Sequence, residues 1–134
     1  MKYRYLEHTA DIKIQAFGKT LNQAFQNSAL AITNYISKGE KIKSKLTKEI
    51  SLKGTDQKSL LYKFLDEILY LFDAESFLTA SAKIKIKENT LTAELKGDSS
   101  ENYKDLDHIK AATYAEMHIK KSKGFYEIQF VVDV

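Results

Sequence analysis

Two acidic residues near opposite ends of the chain carry its most distinctive chemistry. Asp11 closes the segment His8-Thr9-Ala10-Asp11, which lies between two alternating apolar stretches. Asp133 stands in Phe130-Val131-Val132-Asp133-Val134, beside the main-chain carboxylate of Val134. If the first and last strands meet, Asp11, Asp133 and the carboxylate of Val134 bring oxygen ligands to one place. So much negative charge is unfavourable unless a cation compensates it. A hard divalent ion suits the donor set, because Mg²⁺, Ca²⁺ and Mn²⁺ favour carboxylate oxygens. Each residue also has a plainer explanation. Asp11 alone serves as a turn former or cap, and a lone His8 as a hydrogen-bonded structural residue. Asp133 is harder to absorb, since an apolar strand gains nothing from a carboxylate that is neither solvated nor bound.

The elements that must position these residues follow from hydrophobic periodicity. Tyr3 to Leu6 reads as a short strand, and Ile12-Lys13-Ile14-Gln15-Ala16 alternates as a half-buried strand does, ending at Gly18. Thr20 then opens a helix, with Gln23 completing a capping box. Leu21, Ala24, Phe25, Ser28, Ile32, Tyr35 and Ile36 recur at helical spacing, and Gly39 is placed to end the helix. Lys41 to Lys53 alternates loosely through Leu46, Ile50 and Leu52, which predicts one long or bent strand. A second helix follows Gly54, capped by Thr55 or Asp56. Its stripe of Leu60, Leu61, Phe64, Leu65, Ile68, Leu69 and Phe72 reads as core.

From Ser81 the period is two. Ala82, Ile84 and Ile86, a turn at Glu88-Asn89, then Leu91, Ala93 and Leu95 predict a hairpin. Gly97 to Asp107 reads as a polar loop. Ile109 to Ile119 and Phe125 to Val134 read as final strands joined by a turn at Lys121 to Gly124. In the first of these, alternation sets Lys110, Ala112, Tyr114 and Glu116 on one face and Ile109, Ala111 and Thr113 on the other. The order β-β-α-β-α-β-β-β-β implies an α+β fold, a single domain over residues 1–134. It has a largely antiparallel sheet with two amphipathic helices packed on it.

Composition narrows the function classes. There is no cysteine, which removes disulfides, thiolate metal sites and cysteine nucleophiles. No apolar run reaches bilayer length and no signal-peptide core stands at the start, so a cytoplasmic protein with no membrane association is expected. The net charge is +3, and of 21 basic residues only Arg4 is arginine. Arginine reads phosphate and guanine bidentately, so direct nucleic-acid binding is expected to be weak or indirect. Lys41, Lys43, Lys45 and Lys48 are the densest basic cluster, read more simply as a solvated strand face than as an RNA contact. No Ser-His-Asp order, phosphate loop, zinc spacing or dinucleotide fingerprint is present, and His8, His108 and His118 are far apart. As a free-standing enzyme the chain looks poorly equipped.

Three segments together resemble one family. His8-Thr9-Ala10-Asp11-Ile12 followed by Gly18 and an amphipathic helix is similar to the opening of archease. Ile109-Lys110-Ala111-Ala112-Thr113-Tyr114 resembles that family's Lys-Ala-Val-Thr-Tyr strand, and Val131-Val132-Asp133-Val134 its carboxy-terminal tail. The end of the second helix, Leu71-Phe72-Asp73-Ala74-Glu75, also fits. The resemblance covers the whole chain and implies a metal-binding protein cofactor, not an enzyme, that activates RtcB-type RNA ligases in tRNA splicing and RNA repair. Such ligases join RNA ends bearing a 2′,3′-cyclic or 3′-phosphate to a 5′-hydroxyl, using GTP and a divalent metal. Archease promotes their guanylylation and multiple turnover. The resemblance carries the metal site onto Asp11, Asp133 and Val134, with Ca²⁺, Mg²⁺ or Mn²⁺ as the ion. It also suggests a chaperone-like module for a tRNA methyltransferase. A free-standing metal-dependent phosphoesterase is a further alternative, for which no general base stands out. One departure is Ala115, where the family usually has histidine. His118 is a poor substitute by strand parity.

Overall fold

The computed structural model describes residues 1–8 and 11–134, with Glu7 and His8 described by main chain alone. The roles expected of His8, Thr9 and Ala10 therefore lie outside the described residues. Among the described residues, seven strands and two helices follow in the expected order: β1 (Tyr3–His8), β2 (Asp11–Gly18), α1 (Leu21–Ser37), β3 (Leu46–Lys53), α2 (Gln57–Glu75), β4 (Phe77–Lys87), β5 (Thr90–Ser99), β6 (Ala111–Ser122) and β7 (Phe125–Asp133). All strand pairings are antiparallel, and they divide between two sheets, β1-β2-β7-β6 and β3-β5-β4.

Both helices start where their caps dictate. Thr20 Oγ1 accepts the Gln23 N–H at 3.1 Å. The Gln23 side chain reaches back one residue further than a standard capping box, to the Lys19 N–H at 2.9 Å. Asp56 caps α2, with Ser59 closing the reciprocal box. At the end of α1 the left-handed residue is Lys38 (φ 54), and Gly39 follows it at φ 86. Gly39 serves because its missing Cβ lets the chain continue in a conformation side chains disfavour.

The apolar stripes meet in one core cluster. Phe25, Ile32 and Ile36 of α1, Leu61, Phe64, Leu65 and Leu69 of α2, Ile84, Leu91 and Leu95 of the smaller sheet, and Ile14, Ile128, Phe130 and Val132 of the larger one all belong to it. α1 packs on β2 and β4, and α2 on β6, β4 and β3, so each helix touches both sheets. Tyr5 ties the edge strand to α1 through its hydroxyl, which donates to the Ala31 carbonyl at 2.8 Å.

Three expectations need correction. The strand predicted over Lys41 to Lys53 covers only Leu46–Lys53. Before it, Ile42 alone is buried, and the chain is held by the Tyr103 hydroxyl, which accepts the Lys43 N–H, and by the Gly97 carbonyl, which accepts the Lys45 N–H. Lys41, Lys43 and Lys45 are exposed, while Lys48 pairs with Glu75. The polar loop predicted from Gly97 to Asp107 begins only after Ser99, because Gly97, Asp98 and Ser99 are the end of β5 and Asp98 is buried at 2% exposure. The Ser99 N–H at 2.9 Å, the Asn102 amide at 3.1 Å and the Tyr103 hydroxyl at 2.9 Å all donate to its carboxylate. The third correction concerns β6. It begins at Ala111 and runs to Ser122, with the turn tightened to Lys123-Gly124, and its alternation is broken between Thr113 and His118.

Two predictions follow from β5. A Cβ on Gly97 would sit 1.9 Å from the Leu78 carbonyl oxygen of the neighbouring strand. Gly97→Ala should therefore lower stability by about 3 kcal/mol or more, read from the urea midpoint. Burial alone would raise the Asp98 carboxyl pKa, but the Tyr103, Ser99 and Asn102 donors, with Lys45 nearby, hold it below the ordinary value. A depressed carboxyl stabilises the fold above the unfolded pKa, near 3.9, and that contribution is lost as pH falls through the lower folded value. Asp98→Asn should lower the urea midpoint at neutral pH and make acid unfolding less steep than in the wild type.

Candidate metal centre

The pairing of β2 with β7 decides where the acidic residues lie. Their register sets Asp11 opposite Asp133, with Ala111 of β6 opposite Asp133 on its other side. Directly opposed residues in an antiparallel pair hold their Cβ atoms about 5 Å apart. The two aspartates, at opposite ends of the sequence, thus become cross-strand neighbours. Asp11 is the first residue of β2 rather than part of the preceding loop. Val134 follows β7 and is partly exposed.

The electrostatics are those of two acids sharing a site. The Asp133 carboxyl hydrogen-bonds to that of Asp11. This contact, with partial burial and the Asp11 charge, pushes the Asp133 pKa above the usual carboxylate range, and Lys110 opposes the rise. The Lys110 N–H also donates to the Asp133 carbonyl at 2.7 Å, joining the start of β6 to the end of β7. Among the described residues no group of three or more His, Cys, Asp or Glu side chains is placed to hold an ion. Among the described residues the acidic side chains at this end are a carboxylate pair, a donor set that suits a hard cation whose remaining positions are filled by other oxygens.

Alternation along β2 and β7 puts Asp11, Lys13, Gln15 and Phe17 on the sheet face turned away from α1, with Asp133, Val131, Gln129 and Glu127 across from them. This outer face is less exposed than an alternating strand predicts. Gln15 is 8% and Gln129 9% exposed, and Val131 only 1%. A row of hydrogen bonds crosses it: Arg4 Nε donates to Gln15 Oε1 at 2.7 Å, Gln15 Nε2 to Gln129 Oε1 at 2.8 Å, and Gln129 Nε2 to the Glu116 carbonyl at 2.8 Å.

The last of these contacts exposes what periodicity missed. Thr113 stands opposite Val131 and His118 opposite Gln129, so Tyr114 to Met117 face Phe130 alone. The surplus residues bulge outward, and Glu116 adopts φ 53. The even alternation expected for Tyr114 and Glu116 with Lys110 and Ala112 fails here, because an inserted bulge resets the parity. Glu116 Oε1 meets Lys13 Nζ at 2.9 Å, and the Tyr114 ring stacks on Tyr62 of α2 with centroids 4.4 Å apart. Strand parity does not relate His118 to Ala115 for the same reason. His118 instead pairs with Glu127 at 2.7 Å and lies opposite Gln129, away from Asp133. The one sequence signal of the bulge is Thr113-Tyr114-Ala115-Glu116-Met117, where alternation of polar and apolar residues lapses.

A cavity of about 660 Å³ lies elsewhere. Arg4, Phe17, Lys19, Asn27 and Phe125 help line it, at the far end of β2 from Asp11. An ion held by surface carboxylates requires no cavity, so its position does not count against the acid pair.

A raised carboxyl pKa favours the folded state at low pH, and the contribution is lost as pH rises through the folded value. At neutral pH the two carboxylates therefore repel. Asp133→Asn should raise the melting temperature of the metal-free protein at neutral pH, and the gain should vanish in acid. Adding millimolar Ca²⁺ or Mn²⁺ should stabilise the wild type and not the variant, since a ligand stabilises only the state that binds it. Calorimetric melts at two pH values check both.

Residues 3–134 match the model of the Archease protein family. Protein archease of Sulfurisphaera tokodaii is 36% identical over 138 residues, covering 99% of each chain. The solution structure of Methanobacterium thermoautotrophicum protein 1598 superposes with a TM-score of 0.79 at 25% identity, covering 98% of each chain. The crystal structure of a Thermotoga maritima archease, described as a possible chaperone, gives a TM-score of 0.61 at 18% identity, covering 96% of this chain and 94% of that one. Sequence and fold agree along the whole length, and the chain belongs to the archease family.

Proposed function

We propose that this chain is a metal-binding accessory protein that activates an RtcB-type RNA ligase, promoting its guanylylation and multiple turnover. The observation that carries the reading is the cross-strand pair Asp11–Asp133, two carboxylates set together with the Asp133 pKa raised by its neighbour. Like charges held side by side on a sheet call for a cation. In this reading Asp11, Asp133 and the carboxyl group of Val134 hold a divalent ion. A bound ion supplies positive charge to offset GTP phosphates while the ligase is guanylylated. The chain's own contribution is placement: the paired strands fix the carboxylates on a rigid sheet end, where they can approach the ligase without rearrangement.

A second reading draws on the description of the Thermotoga relative as a possible chaperone. Here the chain is a binding module for a tRNA-modifying methyltransferase, and its contact surface includes exposed aromatics such as Tyr114 and Tyr70. This role has no need of Asp11.

One variant separates the two. Asp11→Ala should leave the melting curve cooperative and reduce ligase stimulation at least about tenfold, the effect expected when a metal ligand is lost. Single-turnover guanylylation and multiple-turnover ligation are the measurements. Unchanged stimulation would sink the activator reading, and retained suppression of methyltransferase aggregation would favour the second.

A further inference from the structure

The sheet face that carries the acid pair also carries a cation. Lys13 lies two places along β2 from Asp11, and alternation turns both side chains to the same face. Two strand positions span about 6.7 Å, within reach of a lysine stem. An ammonium group there is a natural occupant of the field set up by Asp11 and Asp133. Lys110, the residue before β6, already acts on Asp133. A second ammonium would largely neutralise the pair and leave little for a divalent ion to offset.

Lys13 is nevertheless directed elsewhere. Its Nζ lies 2.9 Å from Glu116 Oε1, and its side chain is 19% exposed. Glu116 reaches that point only because of the β6 bulge. Its φ of 53 is uncommon for a residue with a side chain, and its carbonyl is pinned by Gln129 Nε2 at 2.8 Å. Main chain and carboxylate of one residue are thus fixed over the outer face, with the carboxylate beside Lys13. Among the described residues across β2 and β7 on this face, the other carboxylates are Asp11, Asp133 and Glu127. The last is engaged by His118 at 2.7 Å.

We propose, building on the divalent-ion reading of the acid pair, that Glu116 is a positioning residue for that site. It holds the Lys13 ammonium away from Asp11 and Asp133 and so keeps that ammonium from competing with a divalent cation for the pair. Removing the Glu116 carboxylate releases Lys13 toward the aspartates, where it competes with the ion. The bulge is then part of the ion site although it contributes no ligand to it.

The test is a double-mutant cycle of Lys13→Gln and Glu116→Gln, reading Mn²⁺ and Ca²⁺ affinity by calorimetry at low ionic strength. Both changes leave the Glu116 carbonyl and its bond from Gln129 in place, and thermal melts check the fold. Glu116→Gln should weaken binding about tenfold, Lys13→Gln alone should stay within about twofold, and the double variant should return to within about twofold of wild type. Additive effects, with each change shifting affinity by the same factor in either background, would overturn the proposal. A crystal structure of metal-free Glu116→Gln gives a readout that needs no ion. Lys13 Nζ within about 4 Å of the Asp11 or Asp133 carboxylate supports the proposal, and Lys13 left in place or in solvent overturns it. If the wild type binds no ion, the divalent-ion reading fails by itself, and the Lys13 position in that structure still decides this one.

Discussion

The antiparallel pairing of β2 with β7 is the constraint on which the rest depends. It runs from Asp11↔Asp133 to Gly18↔Tyr126 and joins segments more than a hundred residues apart. One face of the ladder delivers Ile14, Ile128, Phe130 and Val132 to the common core. The other delivers both aspartates, Lys13 and the two glutamines. Side chains alternate with a period of two, so a slip of one residue would expose the core set and bury the acids. The apolar set is large enough to forbid that slip. The hydrophobic effect therefore fixes the register, and the acid pair is a consequence of it.

The β6 bulge is the second feature with consequences beyond its size. An uninterrupted β6 would not bring the Glu116 carbonyl to the Gln129 amide. Instead Tyr114 to Met117 bulge, Met117 turns inward and Glu116 closes the row of amide hydrogen bonds. A non-glycine residue at φ 53 is disfavoured by roughly 1–2 kcal/mol. The surrounding contacts hold it there: the Tyr114–Tyr62 stack on one side and the Lys13 and Gln129 contacts on the other. Strain kept by so many partners marks a place where precise side-chain placement matters.

How far each element could be read depended on whether its determinants were local. The helices were legible because their caps and apolar stripes lie within one segment, as with Thr20 and Phe25 or Asp56 and Phe64. The β4–β5 hairpin was legible because Glu88 and Asn89 both take positive φ, as a two-residue turn of this kind requires. The stretch from Lys41 to Lys45 was not, because its alternation matches a strand but its main chain is engaged by Gly97 of β5 and by Tyr103 beyond it, both distant in sequence. Asp98 misled for the same reason. A carboxylate beside serines looks solvent-facing until its three donors are brought round it.

The sequence by itself determined the element order, the α+β class, the family resemblance and the identity of the acidic residues, since each is written in residue type and short-range period. Only the tertiary structure decided that the strands form two sheets, that β6 bulges, and that Lys13 meets Glu116 across the outer face. Those outcomes depend on which strand edges pair and on hydrogen bonds between residues far apart in the chain. Periodicity reports which face a residue takes relative to its near neighbours. It carries no record of a bulge that resets the count, nor of the partner waiting on another strand.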